Sequence, residues 1–131
     1  MNIVVAYRKS SIASKILEAA VGQARVLGAT VHLVTSLPGT PATQHPRELE
    51  GSRQALDEAV DVVEKEGIGC EGHLLLQGSS SGEDIVQFAR DKDALMIVMG
   101  VEKKSKVGKF LLGSTAQYVI LHAECPVFTV R

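Results

Sequence analysis

The chain has 131 residues, a formal net charge of −1, and 45% hydrophobic but only 4% aromatic residues. That length suits one domain over residues 1–131 with an aliphatic core, and leaves no room for two. Near-neutral charge excludes a global field drawing the chain to nucleic acid or membrane, and no apolar run approaches the ~18 residues of a membrane span.

Residues 3–7 are a short β-branched run, read as a first strand. Arg8-Lys9-Ser10-Ser11 follows as a turn with a serine placed to cap a helix. Ile12, Ala13, Ile16, Leu17, Ala20, Ala24 and Leu27 then recur at helical spacing, and Gly28 stands where a left-handed cap ends a helix. Residues 31–35 form a second strand. His32 within it reads as a strand-end or partly exposed residue, since no second histidine lies at metal-ligand spacing.

Pro38, Gly39, Pro41 and Pro46 mark residues 36–46 as a loop, expected to be the least ordered segment. A second helix runs from Arg47 or Glu48 to Glu66, with Leu49, Leu56, Ala59, Val60 and Val63 inward and Gly67 as its stop. Residues 71–76 form a third strand whose mixed polarity suits a sheet edge. Gly78-Ser79-Ser80-Ser81-Gly82 turns into a third helix, with Ser81 and Asp84 spaced as a capping box. The serines also admit a phosphate-contact or phosphosite reading, but loop and cap explain them as well. Ile85, Val86, Phe88 and Ala89 form that helix's apolar face. Cys70 and Cys125 are isolated from each other in sequence and read as reduced, buried thiols of a cytoplasmic protein, with a bridge as the alternative. The start of the chain has no signal-peptide pattern.

Residues 94–99 are continuously apolar, as a strand buried on both faces should be. A loop with Lys103, Lys104, Lys106 and Lys109 leads to Gly113-Ser114-Thr115, which opens the helical pattern Ala116, Val119, Ile120, Ala123. Residues 126–130 make the last strand. Alternating strands and helices imply a doubly wound parallel sheet of five strands with helices on both faces. Placing the first and fourth strands side by side gives the order 3-2-1-4-5, with a ligand crevice between them at the carboxyl ends. Ala6, Tyr7 and Arg8 at the end of the first strand would line that crevice. A strand, a glycine-containing loop and a helix start also make an anion site. The first helix amides have no internal partner and carry partial positive charge. A helix capped by Ser114 without ligand, and a merely solvated lysine loop, are the structural alternatives.

Gly100 and the Gly113-Ser114 pair resemble the Gly-x2-Gly-x9-Gly-[Ser/Thr] motif of nucleotide-binding universal stress proteins, with Lys103 where the second glycine would stand. The ending HAECPVFTV and the order of elements over the whole chain resemble that family too. The resemblance implies the same sheet and an ATP or other adenine-nucleotide site without fast turnover. In that arrangement Val34 and Ser36 flank the adenine, and Met99 and Gly100 close the fourth strand beside it. The amides of Gly108, Gly113, Ser114 and Thr115 meet the phosphates, and Lys103 crowds the site or supplies charge to it. Family members that bind nucleotide carry an aspartate near the ribose where this chain has Arg8, a donor-only group that can still reach phosphate oxygens.

The sheet-edge position of residues 126–130 and the resemblance both point to a homodimer through the last strand, against a monomer protected by Arg131 alone. No complete Walker pattern or acidic cluster after the first strand is visible, so an enzyme ranks behind a binding module and a nucleotide-free protein acting through protein contacts. The lysine loop lacks the interleaved aromatics of a nucleic-acid surface.

Overall fold

Five runs of aliphatic and β-branched residues pair into one parallel sheet. In this computed structural model the described residues are 1–37, 46–76, 80–101 and 112–131. The strands are β1 (Asn2–Ala6), β2 (Thr30–Ser36), β3 (Cys70–Leu75), β4 (Met96–Gly100) and β5 (Val127–Val130). The helices are α1 (Ala13–Leu27), α2 (Pro46–Lys65), α3 (Ser81–Asp91) and α4 (Ser114–His122). The strand order is β3-β2-β1-β4-β5, the one expected from placing the first and fourth strands side by side and among the few that right-handed crossovers leave.

The chain walks outward from β1 through β2 to β3, then crosses back to β4 and β5 on the other side. Right-handed crossovers in opposite directions put α1 and α2 on one face and α3 and α4 on the other. Two aliphatic cores result. Ile3, Val5, Val31 and Leu33 pack with Leu17, Ala20, Leu56 and Val63; Val4, Val34 and Ile97 pack with Ile85, Ala89 and Val119. Ile3, Val4 and Val5 are therefore fully buried in succession, and the strand shows no polar alternation.

Gly28 ends α1 at φ 63°, its N–H donating to the Ala24 carbonyl, as its position predicts. The expected serine cap of α1 is not formed. Ile12 is the N-cap residue, and Ser10 Oγ accepts from the Ile12 N–H (3.3 Å) one step earlier, within the turn. On α3 the cap is Ser80, whose Oγ accepts from the Glu83 N–H at 3.3 Å. Ser81 is already helical, so the box spacing falls on Ser80 and Glu83. Asp84 is free for another role. The α4 N-cap is Gly113, so Ser114 does not cap that helix either.

His32 also departs from expectation. It lies inside β2, 3% exposed, because tertiary packing supplies partners for both ring nitrogens. Cys70 and Cys125 are free and half-buried rather than bridged. Burial, then Glu64 and Glu71, push the Cys70 thiol up to about 12. Most of the 36–46 loop lies outside the described residues; of its ends, Ser36 and Leu37 are buried and Pro46 begins α2. Among the described residues no helix is long and apolar enough to cross a membrane.

Candidate functional site

The carboxyl ends of β1 and β4 are adjacent where the winding reverses, and a cleft opens there. Register places Val34, Ala6 and Met99 in one row across β2, β1 and β4. All three line the cleft, with Ser36 and Val101 one step farther along the same face. Tyr7 continues β1 by one hydrogen bond, its N–H donating to the Val34 carbonyl at 2.9 Å. Its carbonyl accepts from Thr35 Oγ1 at 2.9 Å, which holds the two strand ends together. The Tyr7 ring belongs to the core under α1 and α2. Burial, with a smaller contribution from Glu58, raises its phenol above the ordinary value and keeps it neutral.

Arg8 leaves β1 at the cleft rim, and its Nη2 donates to the Ser36 carbonyl at 3.1 Å. Ser36 Oγ donates in turn to Asp84 Oδ2 at 2.7 Å. Arg8 is the one charged side chain among the described lining residues. The rest of that lining is apolar or hydroxyl-bearing. It includes Ser10, Ser80, Ser81, Ser114 and Thr115 and no carboxylate or imidazole. Hydroxyls, a guanidinium and backbone amides are donors, so this arrangement suits an anionic ligand with an apolar part.

The α4 start supplies amides. The first helical bond is from the Gln117 N–H to the Gly113 carbonyl at 3.0 Å. The N–H groups of Ser114, Thr115 and Ala116 precede it and have no carbonyl one turn back within the helix. A second helix start converges on the same space because Gly82 lacks a side chain. A Cβ there would lie 2.8 Å from the Tyr118 Cβ, too close for the two helices to keep their approach. Gly100 has a similar packing reason: its Cβ would sit 2.6 Å from Ile12 Cδ1 and 2.8 Å from Ile16 Cδ1.

Ala6, Tyr7, Arg8, Val34, Ser36, Met99, Gly100, Gly113, Ser114 and Thr115 thus all border one cleft of about 760 Å³. Pockets for small ligands span roughly 300–1,000 Å³. Lys103 and Gly108 lie outside the described residues, as do the lysines around them. Sequence reasoning weighed a phosphate contact for the serines at 79–81 but preferred loop and cap, and did not place Ser80, Ser81 or Gly82 in the site. The signal was the Gly-Ser-Ser-Ser-Gly run at 78–82, whose placement at the cleft depends on α3 meeting α4.

A doubly wound parallel sheet with a donor-lined cleft at its switch point defines a class of small-ligand-binding α/β proteins. Within it, the universal stress protein family model matches residues 1–131, and the chain belongs to this family. It is 35% identical over 138 residues to a Thermus aquaticus protein described as "Universal stress protein in QAH/OAS sulfhydrylase 3'region", covering 99% of this chain and 98% of that one. Among solved structures it resembles a universal stress protein from Archaeoglobus fulgidus at 39% identity and TM-score 0.89, over 100% of this chain and 93% of that one. A structure of the universal stress protein from Archaeoglobus fulgidus in complex with dAMP matches at 35% identity and TM-score 0.84, over 99% and 96%.

Proposed function

We propose that this chain is a single universal stress protein domain whose cleft binds an adenine nucleotide without fast turnover, as a ligand-responsive module of the stress response in the cytoplasm. The observation that carries the reading is the convergence of the Gly113–Thr115 helix start, Arg8 and the Val34–Ala6–Met99 row on one cleft. The apolar row suits a base, and the helix start suits phosphate. The dAMP complex of the Archaeoglobus fulgidus relative supports the same ligand class. ATP is the finer assignment. On that assignment the amides of Gly108, Gly113, Ser114 and Thr115 meet the phosphates, and Lys103 either crowds the site or supplies charge to it. The test is to release bound ligand by heating the purified protein and to identify it, then titrate AMP, dAMP and ATP by calorimetry. An adenine nucleotide in the supernatant and saturable binding are expected; neither appearing would overturn the proposal.

A second reading is favoured by one contact. Arg8 reaches the Ser36 carbonyl, so the position that meets ribose in nucleotide-binding relatives holds a donor already engaged across the rim. On that reading the chain acts nucleotide-free through protein contacts, and the cleft is structural. In either case we propose a homodimer through β5. Hydrogen bonds from the Ile97 N–H to the Pro126 carbonyl and from the Val101 N–H to the Val130 carbonyl place alternate β5 residues toward β4. Val127 and Thr129 then turn their N–H and C=O groups to the open edge.

A further inference from the structure

Away from the cleft, at the β2–β3 side of the sheet, three side chains with metal-ligand chemistry meet. His32 and Glu71 are register partners, and His73 is two residues beyond Glu71, so all three share the face covered by α3. His32 Nδ1 lies 3.0 Å from His73 Nε2 and 3.9 Å from Glu71 Oε2. One ligand atom from each residue lies within 4.8 Å of the other two.

The tautomer of His32 is set from behind. Asn2 Nδ2 donates to the Lys92 carbonyl at 3.0 Å, which turns Asn2 Oδ1 toward His32 Nε2 at 2.9 Å. An oxygen there requires a proton on Nε2, so neutral His32 presents a bare Nδ1 lone pair to His73 and Glu71. This is how outer partners orient metal-ligating histidines. The ring centroids are 5.2 Å apart at 29°. That is close to the largest separation a 3.0 Å N···N approach allows, so the rings meet edge to edge with their nitrogens facing. Tetrahedral Zn2+ with bonds of about 2.0–2.1 Å holds two nitrogens about 3.3 Å apart, a few tenths of an ångström wider than found here.

We propose that His32 Nδ1, His73 Nε2 and the Glu71 carboxylate bind one divalent transition ion of the Zn2+ class, with Asn2 as the positioning residue. Two imidazoles and one carboxylate are a known three-ligand set for zinc, with water in the fourth position. Glu71 is exposed and His73 half-buried, so solvent reaches the site, while buried His32 and the Phe88 ring, 4.7 Å from that of His73, form its floor. In the ion-free pair His73 Nε2–H donates to the bare His32 Nδ1, so binding the ion shifts the His73 proton to its Nδ1 and frees Nε2 as a ligand.

The test uses untagged, chelator-treated protein titrated with Co2+ and then Zn2+. One Co2+ per chain should bind with the visible d–d absorption of a four-coordinate ion, Zn2+ should displace it, and Zn2+ should raise the melting temperature. Asn2→Ala should weaken Zn2+ binding about 10–100-fold, the scale of lost outer-shell support. His73→Ala and the surface change Glu71→Gln should each weaken it at least as much, with native circular dichroism retained by Glu71→Gln. Absence of Co2+ absorption and of a Zn2+ melting shift would leave only a hydrogen-bonded histidine pair and overturn the proposal. So would affinity unchanged in Glu71→Gln and His73→Ala, or a thiolate-to-cobalt charge-transfer band that assigns the ion to Cys70 or Cys125.

Discussion

Ser36 Oγ donates to Asp84 Oδ2 at 2.7 Å, tying the last residue of β2 to the first turn of α3. Asp84 is 3% exposed, so no water substitutes easily for that contact. Its place at a helix start adds a favourable interaction with the α3 dipole. Ser36→Ala should cost about 1–3 kcal/mol, the scale for stripping a partner from a buried polar group. Urea unfolding measures it; an unchanged midpoint would show that the contact is not worth its geometry.

Gly113 is the α4 N-cap at φ −64° and ψ 158°, a conformation open to any residue, so steric access and not backbone strain decides its substitution. Gly113→Val should abolish calorimetric nucleotide binding by placing a branched side chain where phosphate must approach the amides. Ser114→Ala should weaken binding by about 1–3 kcal/mol, as for a lost hydrogen bond to a charged group. Wild-type affinity in Gly113→Val would remove the helix start from the site.

Arg8 separates the two functional readings. If its hold on the Ser36 carbonyl blocks the ribose position, wild type binds ATP poorly and Arg8→Asp with Lys103→Gly restores binding. If the guanidinium is a phosphate ligand, the same pair weakens binding. Tight wild-type binding that the double variant leaves untouched would exclude both roles.

For the dimer, Thr129 is the informative position. Its N–H points to the open edge in the β5 register, so Thr129→Pro removes an intermolecular donor while sparing the bonds to β4. Phe128 is 39% exposed beside that edge, and Phe128→Lys adds like charge across a two-fold axis. Light scattering at tens of micromolar should find wild type dimeric and both variants monomeric. A monomeric wild type, or variants that remain dimeric, places the interface elsewhere or nowhere.

Cys70 gives a pH dependence with a definite sign. Its thiol is raised from 9.0 to about 12 in the fold. Between those values the unfolded chain loses a proton that the folded chain keeps, so stability is full below 9.0 and declines as pH rises toward 12. The urea midpoint should fall more steeply above pH 9.0 for wild type than for Cys70→Val. Parallel slopes would mean that burial does not perturb this thiol.

The fold was legible because its signals are local. Uninterrupted apolar runs at β1 and β4 need two covered faces, 3.6-residue periodicity marks the inward side of α1 and α2, and Gly28 stops a helix wherever it sits. Crossover handedness then leaves few sheet orders, and the universal stress protein motif at Gly100 and Gly113-Ser114 agrees with the one found. What failed to read depends on which segment arrives opposite. Ser80 rather than Ser81 caps α3 because the first turn closes one residue earlier. Ser80 and Gly82 border the cleft only because α3 meets α4 at Tyr118. His32 looked solitary because its partners, Asn2, Glu71 and His73, stand 30 to 41 residues away in the chain and beside it in the sheet. Periodicity reports which face a side chain takes; strand register alone decides which side chains share it.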